Sequence, residues 1–489
     1  MSGAAPARAA EFPPLLRARE LRDADAETDV AVVGFGCAGA CAAIEARAAG
    51  AEVFVLERAG GAGGTSANSG GLIYLGGGTP IQKRCGFEDT PEAMYAYLMA
   101  ACGAGTDAAL VAPYCEESVE HFHWLVQQGL PFRAAFFPDA HEPDTDHGLT
   151  YSGSEEVHPF CELARPAPRG HRPQQARNAG ALLMRVLAAG AERAGARALP
   201  GLRCEALVAE DDGRVVGVAG LREGRRFALR ARRGVVLAAG GFILDAAMVA
   251  RHAPRLLACR HKVATEGDDG RGIRMGLAAG GEALHLGAAD ITLALFPPVG
   301  LKRGLFINRL GQRYLNEDAY MGRAGEYAIL REEGRAWLLV DDEVFAQPQH
   351  FPLEIAAVGG SIAELEAELG LPELALQQTV AYYNRHAERG RDPLFHKRPE
   401  HLKPLTAAPF AALDLSPERC VYSAFTLGGL RIDAGAAVLS PRGERVPGLF
   451  AAGRTSSGIS KGGYSSGLSL GDASFFGRRA GRSAARGDG

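Results

Sequence analysis

One segment near the start of the chain restricts the fold more than any other. The apolar run Asp29-Val-Ala-Val-Val33 stops at Gly34-Phe-Gly36-Cys-Ala-Gly39. Small residues follow from Ala40 to Ala49, and a second apolar run, Glu52-Val-Phe-Val-Leu-Glu57, ends on a carboxylate. Short apolar runs of this kind read as buried parallel strands, and the small-residue stretch between them as a helix. The whole is a βαβ unit with a glycine-rich turn. In such a unit the glycines admit a pyrophosphate to the backbone and the helix N-terminus offers it free N–H groups. An acidic residue about twenty positions on hydrogen-bonds a ribose hydroxyl. Glu57 stands 18 positions past Gly39. An acidic ribose partner disfavours a 2′-phosphate, so the pattern predicts FAD or NAD in preference to NADP.

The placing of glycine separates those two. The chain has 64 glycines in 489 residues, about twice the usual share of roughly 7%. Nine fall between Gly60 and Gly78 and seven between Gly453 and Gly477. Gly63-Gly-Thr-Ser-Ala-Asn-Ser-Gly-Gly71 directly follows the second strand, where small residues let the chain run along a long cofactor from pyrophosphate to flavin. Thr265-Glu-Gly-Asp-Asp-Gly-Arg-Gly272 opens another small-residue helix, and Gly448-Leu-Phe-Ala-Ala-Gly-Arg454 precedes the C-terminal helix. No second GxGxxG with its carboxylate occurs, so a nicotinamide site is not indicated. The expectation is FAD, with electrons leaving to an acceptor other than NAD(P). Cys37 and Cys41 are one turn apart on the first helix. A redox pair there would call for the missing nicotinamide site, so they read as buried thiols.

Composition excludes other classes. A formal net charge of −4 with 22% charged residues lacks the basic excess of a nucleic-acid protein. Nine cysteines with no CxxC give neither a disulfide framework nor zinc spacing. The histidines His141, His147, His158 and His171 also fit no zinc pattern, so no metal is expected. No apolar run is long enough to cross a membrane, and the N-terminal segment has no apolar signal core. The expected location is the cytoplasm. Residues 1–27 read as a lead-in. Residues 91–130, 178–199 and about 361–388 read as helical, and the Pro- and His-rich stretch 131–177 as an irregular surface excursion. A change of character at 288–418 reads as an insertion. The expected architecture is α/β with an α+β cap: a Rossmann-type FAD-binding domain made of 28–287 and 419–489, interrupted by a cap domain at 288–418. Arg478-Arg479 read as a solvated helix face.

Several motifs together resemble the fumarate reductase and succinate dehydrogenase flavoprotein superfamily. They are Gly34-x-Gly36-x-x-Gly39, Gly64-Thr-Ser-Ala-x-Ser-Gly-Gly71, Ala238-Ala-Gly-Gly241, Gly267-Asp-Asp-Gly270, Asn308-x-x-Gly-Gln-Arg-Tyr-x-Asn-Glu317 and Gly448-Leu-Phe-Ala-Ala-Gly453. Tyr464 and Phe425 stand where fumarate reductases carry an arginine and a histidine, and a dicarboxylate needs cationic partners. Gly462-Gly-Tyr-Ser-Ser-Gly-Leu-Ser-Leu-Gly471, Asn316-Glu-Asp-Ala-Tyr-Met-Gly-Arg323 and Ala167-Pro-Arg-Gly-His171 instead resemble the 3-ketosteroid dehydrogenases. The branch resembled is the one that desaturates 5α-reduced 3-ketosteroids between carbons 4 and 5. The branch making the 1,2 double bond has Tyr-Pro-Gly-Pro-Gly where this chain has Tyr464-Ser-Ser-Gly467.

The resemblance implies a 5α-3-ketosteroid substrate and catalytic positions at Tyr320, Tyr464 and Ser466. Desaturation removes a hydride from the β carbon and a proton from the α carbon. The ketone needs donors aimed at its oxygen, for which the backbone N–H groups of Gly467 and Leu468 are candidates. The proton acceptor is expected to be a hydroxyl relay, Ser466 and Tyr464 passing the proton through Tyr320 towards water. Motifs and resemblance together assign to FAD Gly34, Gly36, Cys37, Ala38, Gly39, Glu57 and Arg58 from the first unit, and Gly64, Thr65, Ser66, Ser69, Gly70 and Gly71 from the next loop. They add Ala206, Ala239, Gly240, Asp268 and Gly270, and towards the C-terminus Gly453, Arg454, Leu468, Ser469 and Leu470. Two alternative readings are a desaturase of a smaller cyclic ketone such as 4-oxocyclohexanecarboxylate, and a fumarate-reductase-like flavoprotein. The small keto acid would draw its cation from Arg133, Arg165 or Arg169.

Overall fold

The computed structural model describes residues 15–20, 24–139 and 143–488. His141 and the first fourteen positions of the lead-in therefore lie outside the described residues. The opening unit folds as β1 (Ala26–Val33), α1 (Cys37–Ala48) and β2 (Val53–Glu57). The sheet continues with β3 (Arg197–Pro200), β4 (Leu202–Ala209), β5 (Val215–Arg222) and β6 (Arg225–Leu237). Two strands, β7 (Ala289–Leu293) and β8 (Tyr422–Thr426), pair with each other outside it. β9 (Arg445–Ala451) and the last helix, α2 (Leu468–Arg486), complete the set.

Five strands run parallel in the order β3-β2-β1-β6-β9. Their inward residues Val30, Val32, Val55, Val235, Leu237 and Leu449 are fully or almost fully buried, as expected of strands covered on both faces. The first half of β6 pairs antiparallel with β5, and β5 with β4, as a three-stranded meander. Because the five strands are parallel, the turns after β1, β2, β6 and β9 all leave from one edge. This is where open parallel sheets bind ligands. Gly34 shows why that edge needs glycine: its φ is +103°, and a Cβ there would lie 2.3 Å from the Ala238 carbonyl oxygen.

α1 packs along α2 through small residues. Cβ atoms on Gly477 and Gly481 would lie 2.5 and 2.1 Å from the carbonyl oxygens of Ala38 and Ala42. The N- and C-terminal thirds of the chain thus meet backbone against backbone directly behind the cleft. Arg478 is buried in this seam and is not on a solvated face, contrary to expectation. It binds Glu45 at 3.1 Å and Glu120 at 2.9 Å, with its guanidinium over the Trp124 ring. Its stripe position on α2 faces α1, so burial required these partners.

Several sequence expectations needed adjustment. The stretch 178–199 is a helix only over Ala179–Arg193, and its tail is the parallel strand β3. The helical stretch 361–388 splits into Ile362–Glu368 and Ala375–Ala387 around Gly370-Leu-Pro372, where proline denies the helix a donor. Among its described residues, the excursion 131–177 is folded inward chiefly over 148–155 and 167–173. Phe136–Phe137, Leu149–Thr150 and Gly170–His171 join Ile73–Tyr74 in a four-stranded sheet, and Arg169, His171 and Arg172 are buried. Of the charges that suggested solvent, Arg169 is paired internally with Asp89 at 2.6 Å, whereas Arg133 and Arg165 pair with Asp146 and Glu88 at the surface.

Between β7 and β8 the chain forms a four-stranded antiparallel sheet, ordered Leu305–Asn308, Ala336–Asp341, Phe410–Asp414, Ile355–Gly359. A buried ionic cluster pins its leading loop. Glu317 binds Arg313 at 2.7 Å and Lys397 at 2.8 Å, and Arg313 also binds Asp392 at 2.9 Å. Removing one member would strand a buried charge, a loss of about 3–5 kcal/mol. Three residues further on, that loop delivers Tyr320.

Candidate active site

A cavity of about 810 Å³ opens at the carboxyl edge of the parallel sheet and extends beneath the inserted segment. At one end it is lined by the turn Gly34–Ala38, by Glu57 and Arg58, and by the loop from Gly63 to Leu72. At the other end stand Asp290, Thr292, Tyr320, Phe425, Tyr464 and Ser466.

The first end is made mainly of backbone. Glu57 is held by two amides, from Phe35 at 2.8 Å and Ala59 at 2.8 Å, which fixes its carboxylate at the end of β2. Thr65 donates its hydroxyl to Asp268, and Asp268 also accepts from the Gly241 amide at 2.7 Å and from Arg454 at 2.8 Å. These bonds tie three glycine-rich turns around one space. Of the residues assigned to the cofactor, Gly34, Gly36, Cys37, Ala38, Glu57, Arg58, Gly64, Thr65, Ser66, Ser69, Gly70, Gly71, Ala239, Gly240, Asp268, Gly453, Arg454, Ser469 and Leu470 line it. Gly39, Ala206, Gly270 and Leu468 do not. Gly39 lies under the turn, where a Cβ would meet the Gly34 oxygen at 2.0 Å. Ala206 is buried inside β4. Gly270 caps the helix Arg271–Ala278 in the left-handed region. The Leu468 amide is already donated to the Ser465 carbonyl at 3.1 Å.

The space suits an extended dinucleotide. Cβ atoms on Gly61 and Gly64 would meet no atom within 4 Å, so the wall there is open to a ligand. Ser152 Oγ and Arg454 Nη1 are buried, border the cavity and have no partner among the described residues. A bound polar group would satisfy such atoms.

The second end is built from side chains. The hydroxyls of Tyr320 and Ser466 are 2.9 Å apart. Tyr464 accepts the Ser469 amide at 3.1 Å and meets the Phe425 ring edge-on, centroids 5.4 Å apart. Its hydroxyl makes no hydrogen bond to Tyr320 or Ser466, so the structure joins two of the three expected relay members and sets the third apart. Burial pushes the pKa of both tyrosines above its ordinary value. The loop that carries Tyr464 and Ser466 is clamped from behind, where Ser465 bonds the Tyr97 hydroxyl at 2.8 Å. None of Arg133, Arg165 and Arg169 reaches the cavity. Arg133 pairs with Asp146 and Arg165 with Glu88 at the surface, and Arg169 is sealed against Asp89.

Sequence reading missed Asp290 and Thr292. They alternate with apolar residues along β7, and two polar residues at that spacing read as a solvent face. Here the face looks into the cavity. It also missed a surface convergence of His158, Glu162 and His396, whose candidate ligand atoms lie within 4.8 Å of one another. The third member comes from far along the chain and none of the three lines the cavity.

Residues 29–469 match the model of the FAD-binding domain family. The chain belongs to this family of flavoproteins, and FAD is its cofactor. Within it, the chain is 31% identical to the 3-oxo-5α-steroid 4-dehydrogenase of Comamonas testosteroni, over 89% of this chain and 94% of that one, and belongs to the same family. It is 46% identical to the 3-ketosteroid Δ4-(5α)-dehydrogenase of Rhodococcus jostii RHA1, solved in complex with 4-androstene-3,17-dione. That match has a TM-score of 0.92 and covers 97% of this chain and all of that one. A probable fumarate reductase of Shewanella frigidimarina is 27% identical over 94% of this chain and 75% of its own length. Among the described residues no helix is long and apolar enough to cross a membrane.

Proposed function

We propose that the protein is an FAD-dependent oxidoreductase that desaturates 5α-reduced 3-ketosteroids between carbons 4 and 5. One observation carries this reading. The cavity joins the dinucleotide cleft to an end where paired hydroxyls, Tyr320 and Ser466, face an apolar wall containing Phe425 and Tyr464. A steroid ketone is large, apolar and uncharged, and needs hydroxyl and amide donors with no cation. A dicarboxylate would need the cations that the Phe425 and Tyr464 positions do not supply.

FAD supplies the hydride acceptor when bound. The residues holding it would be those of the Gly34–Ala38 turn, Glu57, the Gly64–Gly71 loop, Asp268 and Arg454. The Tyr464 hydroxyl, held by the Ser469 amide, donates to the ketone oxygen together with the Gly467 amide, so that charge developing on that oxygen is met by fixed dipoles. Ser466 takes the proton from carbon 4 and hands it to Tyr320. Neutral hydroxyls suit the positions nearest the reacting carbons, with any carboxylate set behind them, because an unpaired carboxylate touching the steroid would be costly to bury. The electrons leave to an acceptor other than NAD(P), since one dinucleotide site is all the motifs describe. We place the division between FAD domain and cap at the paired strands β7 and β8. The test is anaerobic mixing of the holoenzyme with 5α-androstane-3,17-dione. Flavin absorbance bleaches if the reading holds. Bleaching by 4-oxocyclohexanecarboxylate alone would replace the steroid with the smaller ketone.

A further inference from the structure

The pair Tyr320–Ser466 does not end the hydrogen-bonded path. Tyr320 is 7% exposed, so its hydroxyl is poorly placed to pass a proton straight to water. The Thr292 hydroxyl lines the same cavity wall as Tyr320 and donates to Asp290 Oδ2 at 2.9 Å. Asp290 is 5% exposed and borders the cavity. Its other oxygen, Oδ1, is buried without a partner among the described residues. A Cβ on Gly322 would lie 2.3 Å from the Tyr320 ring and 2.5 Å from Asp290 Oδ1. The bare glycine is what lets ring and carboxylate crowd the same wall.

We propose that Asp290 is the terminal proton acceptor of the reaction, reached from the substrate through Ser466, Tyr320 and Thr292. This rests on the desaturase reading above. Each hydroxyl in the chain gains one proton and gives one, so none is left ionised. As the C4–H bond breaks, its electron pair becomes the second C4–C5 bond. The hydride from carbon 5 goes to FAD, and the proton from carbon 4 converts the Asp290 carboxylate to the acid. This relieves the energetic problem of a tyrosine base. Burial raises the Tyr320 pKa, so a path ending there would have to start from a costly phenolate.

The groups facing Asp290 are Thr292 on its own strand and Tyr320 and Glu326 from the segment after the ionic loop. Tyr464 faces it from the glycine-rich loop and Cys259 from the 254–259 turn. None of these is a cation. Burial first, then the Glu326 charge, pushes the Asp290 carboxyl up to about 7, and burial pushes Glu326 to about 7 as well. Above that pH Asp290 is ionised and able to receive the proton. Below it the site is already filled.

Two measurements on the holoenzyme test this. In anaerobic stopped-flow with 5α-androstane-3,17-dione, the wild-type rate of flavin bleaching should rise with pH through about 7 and then level. Asp290→Asn should be slower by roughly 10²-fold and lose the limb, with flavin still bound. Asp290→Glu should recover the limb. Glu326→Gln should keep it, displaced to lower pH by removal of a like charge. Infrared difference spectra without substrate should show carboxylic-acid C=O absorption that is lost as pH rises through about 7, with one component missing in Asp290→Asn and another missing in Glu326→Gln. A normal limb in Asp290→Asn, or C=O absorption that this substitution leaves unchanged, overturns the proposal. If the steroid fails to bleach the wild-type flavin, the substrate reading falls, and the infrared band still decides whether Asp290 titrates there.

Discussion

The two ends of the cavity are built on opposite principles. At the dinucleotide end the working atoms are backbone amides at strand ends, and side chains such as Asp268 serve to hold turns together. At the proposed reacting end the atoms assigned to the chemistry are side-chain hydroxyls and one carboxylate, each brought from a separate stretch of chain. The first end recognises a cofactor that does not change its place and tolerates little variation in backbone. The second must present a few polar atoms within an apolar wall, so its performance hangs on single oxygen atoms. Substitutions at the two ends should therefore fail differently: one kind should lose the cofactor, the other should keep it and lose chemistry.

The largest effect is expected at the reacting end. Tyr320→Phe and Ser466→Ala each remove one oxygen from the path, and turnover of a 5α-3-ketosteroid should drop by roughly 10²–10⁴-fold, the usual scale for a positioned proton-transfer group. The flavin spectrum of the purified variants should stay that of the bound form. Near-normal rates in both would end the relay. Tyr464→Phe should act on the same step through the ketone, with a smaller loss because the Gly467 amide remains.

Next in size is Gly34→Ala. A methyl there meets the Ala238 carbonyl at 2.3 Å, at a φ that alanine seldom adopts. Both the β1–α1 turn and its approach to β6 would have to move. The expected outcome is protein purified with little flavin, measured as the ratio of flavin to protein absorbance. Full occupancy would mean the turn is softer than its packing implies.

This contrast also explains what could be read in the sequence. The dinucleotide end is local: Gly34 to Glu57 is one unbroken unit, and the physics of its turn is written in consecutive residues. The parallel strands β1, β2 and β6 and the glycine turns were all visible that way. Tyr320 and Ser466 were singled out only through likeness to a family, since nothing local distinguishes a working hydroxyl from a packed one. Asp290 was invisible because the face of β7 it occupies depends on pairing with β8, more than a hundred residues later. Arg478 was misread for the same reason: its partners Glu45 and Glu120 belong to distant helices.

A third test measures how far the ends depend on the scaffold behind them. Gly481→Ala would press a methyl to 2.1 Å from the Ala42 carbonyl oxygen in the α1–α2 seam. Backbone against backbone leaves no flexible side chain to yield, so about 1–3 kcal/mol of stability should be lost, read as a lower denaturation midpoint. Activity per bound flavin should be nearly unchanged, because neither Gly481 nor Ala42 lines the cavity. A parallel loss of activity would mean that the seam sets the geometry of the cavity.

The smallest expected effect discriminates between substrates. Arg133 and Arg165 sit at the surface, paired with Asp146 and Glu88. Exposed pairs of this sort contribute about 0–1 kcal/mol, so Arg133→Ala and Arg165→Ala should leave steroid turnover within about twofold of wild type. If the protein instead acted on a small keto acid, one of these arginines would have to abandon its carboxylate and bind the substrate's. Its loss would then raise KM for that acid steeply while leaving kcat little changed, the pattern of lost ground-state binding. Measuring both parameters on 4-oxocyclohexanecarboxylate and on 5α-androstane-3,17-dione separates the cases. A KM effect confined to the keto acid would move the reacting end out towards the surface. No effect on either leaves it where Tyr320, Ser466 and Asp290 converge.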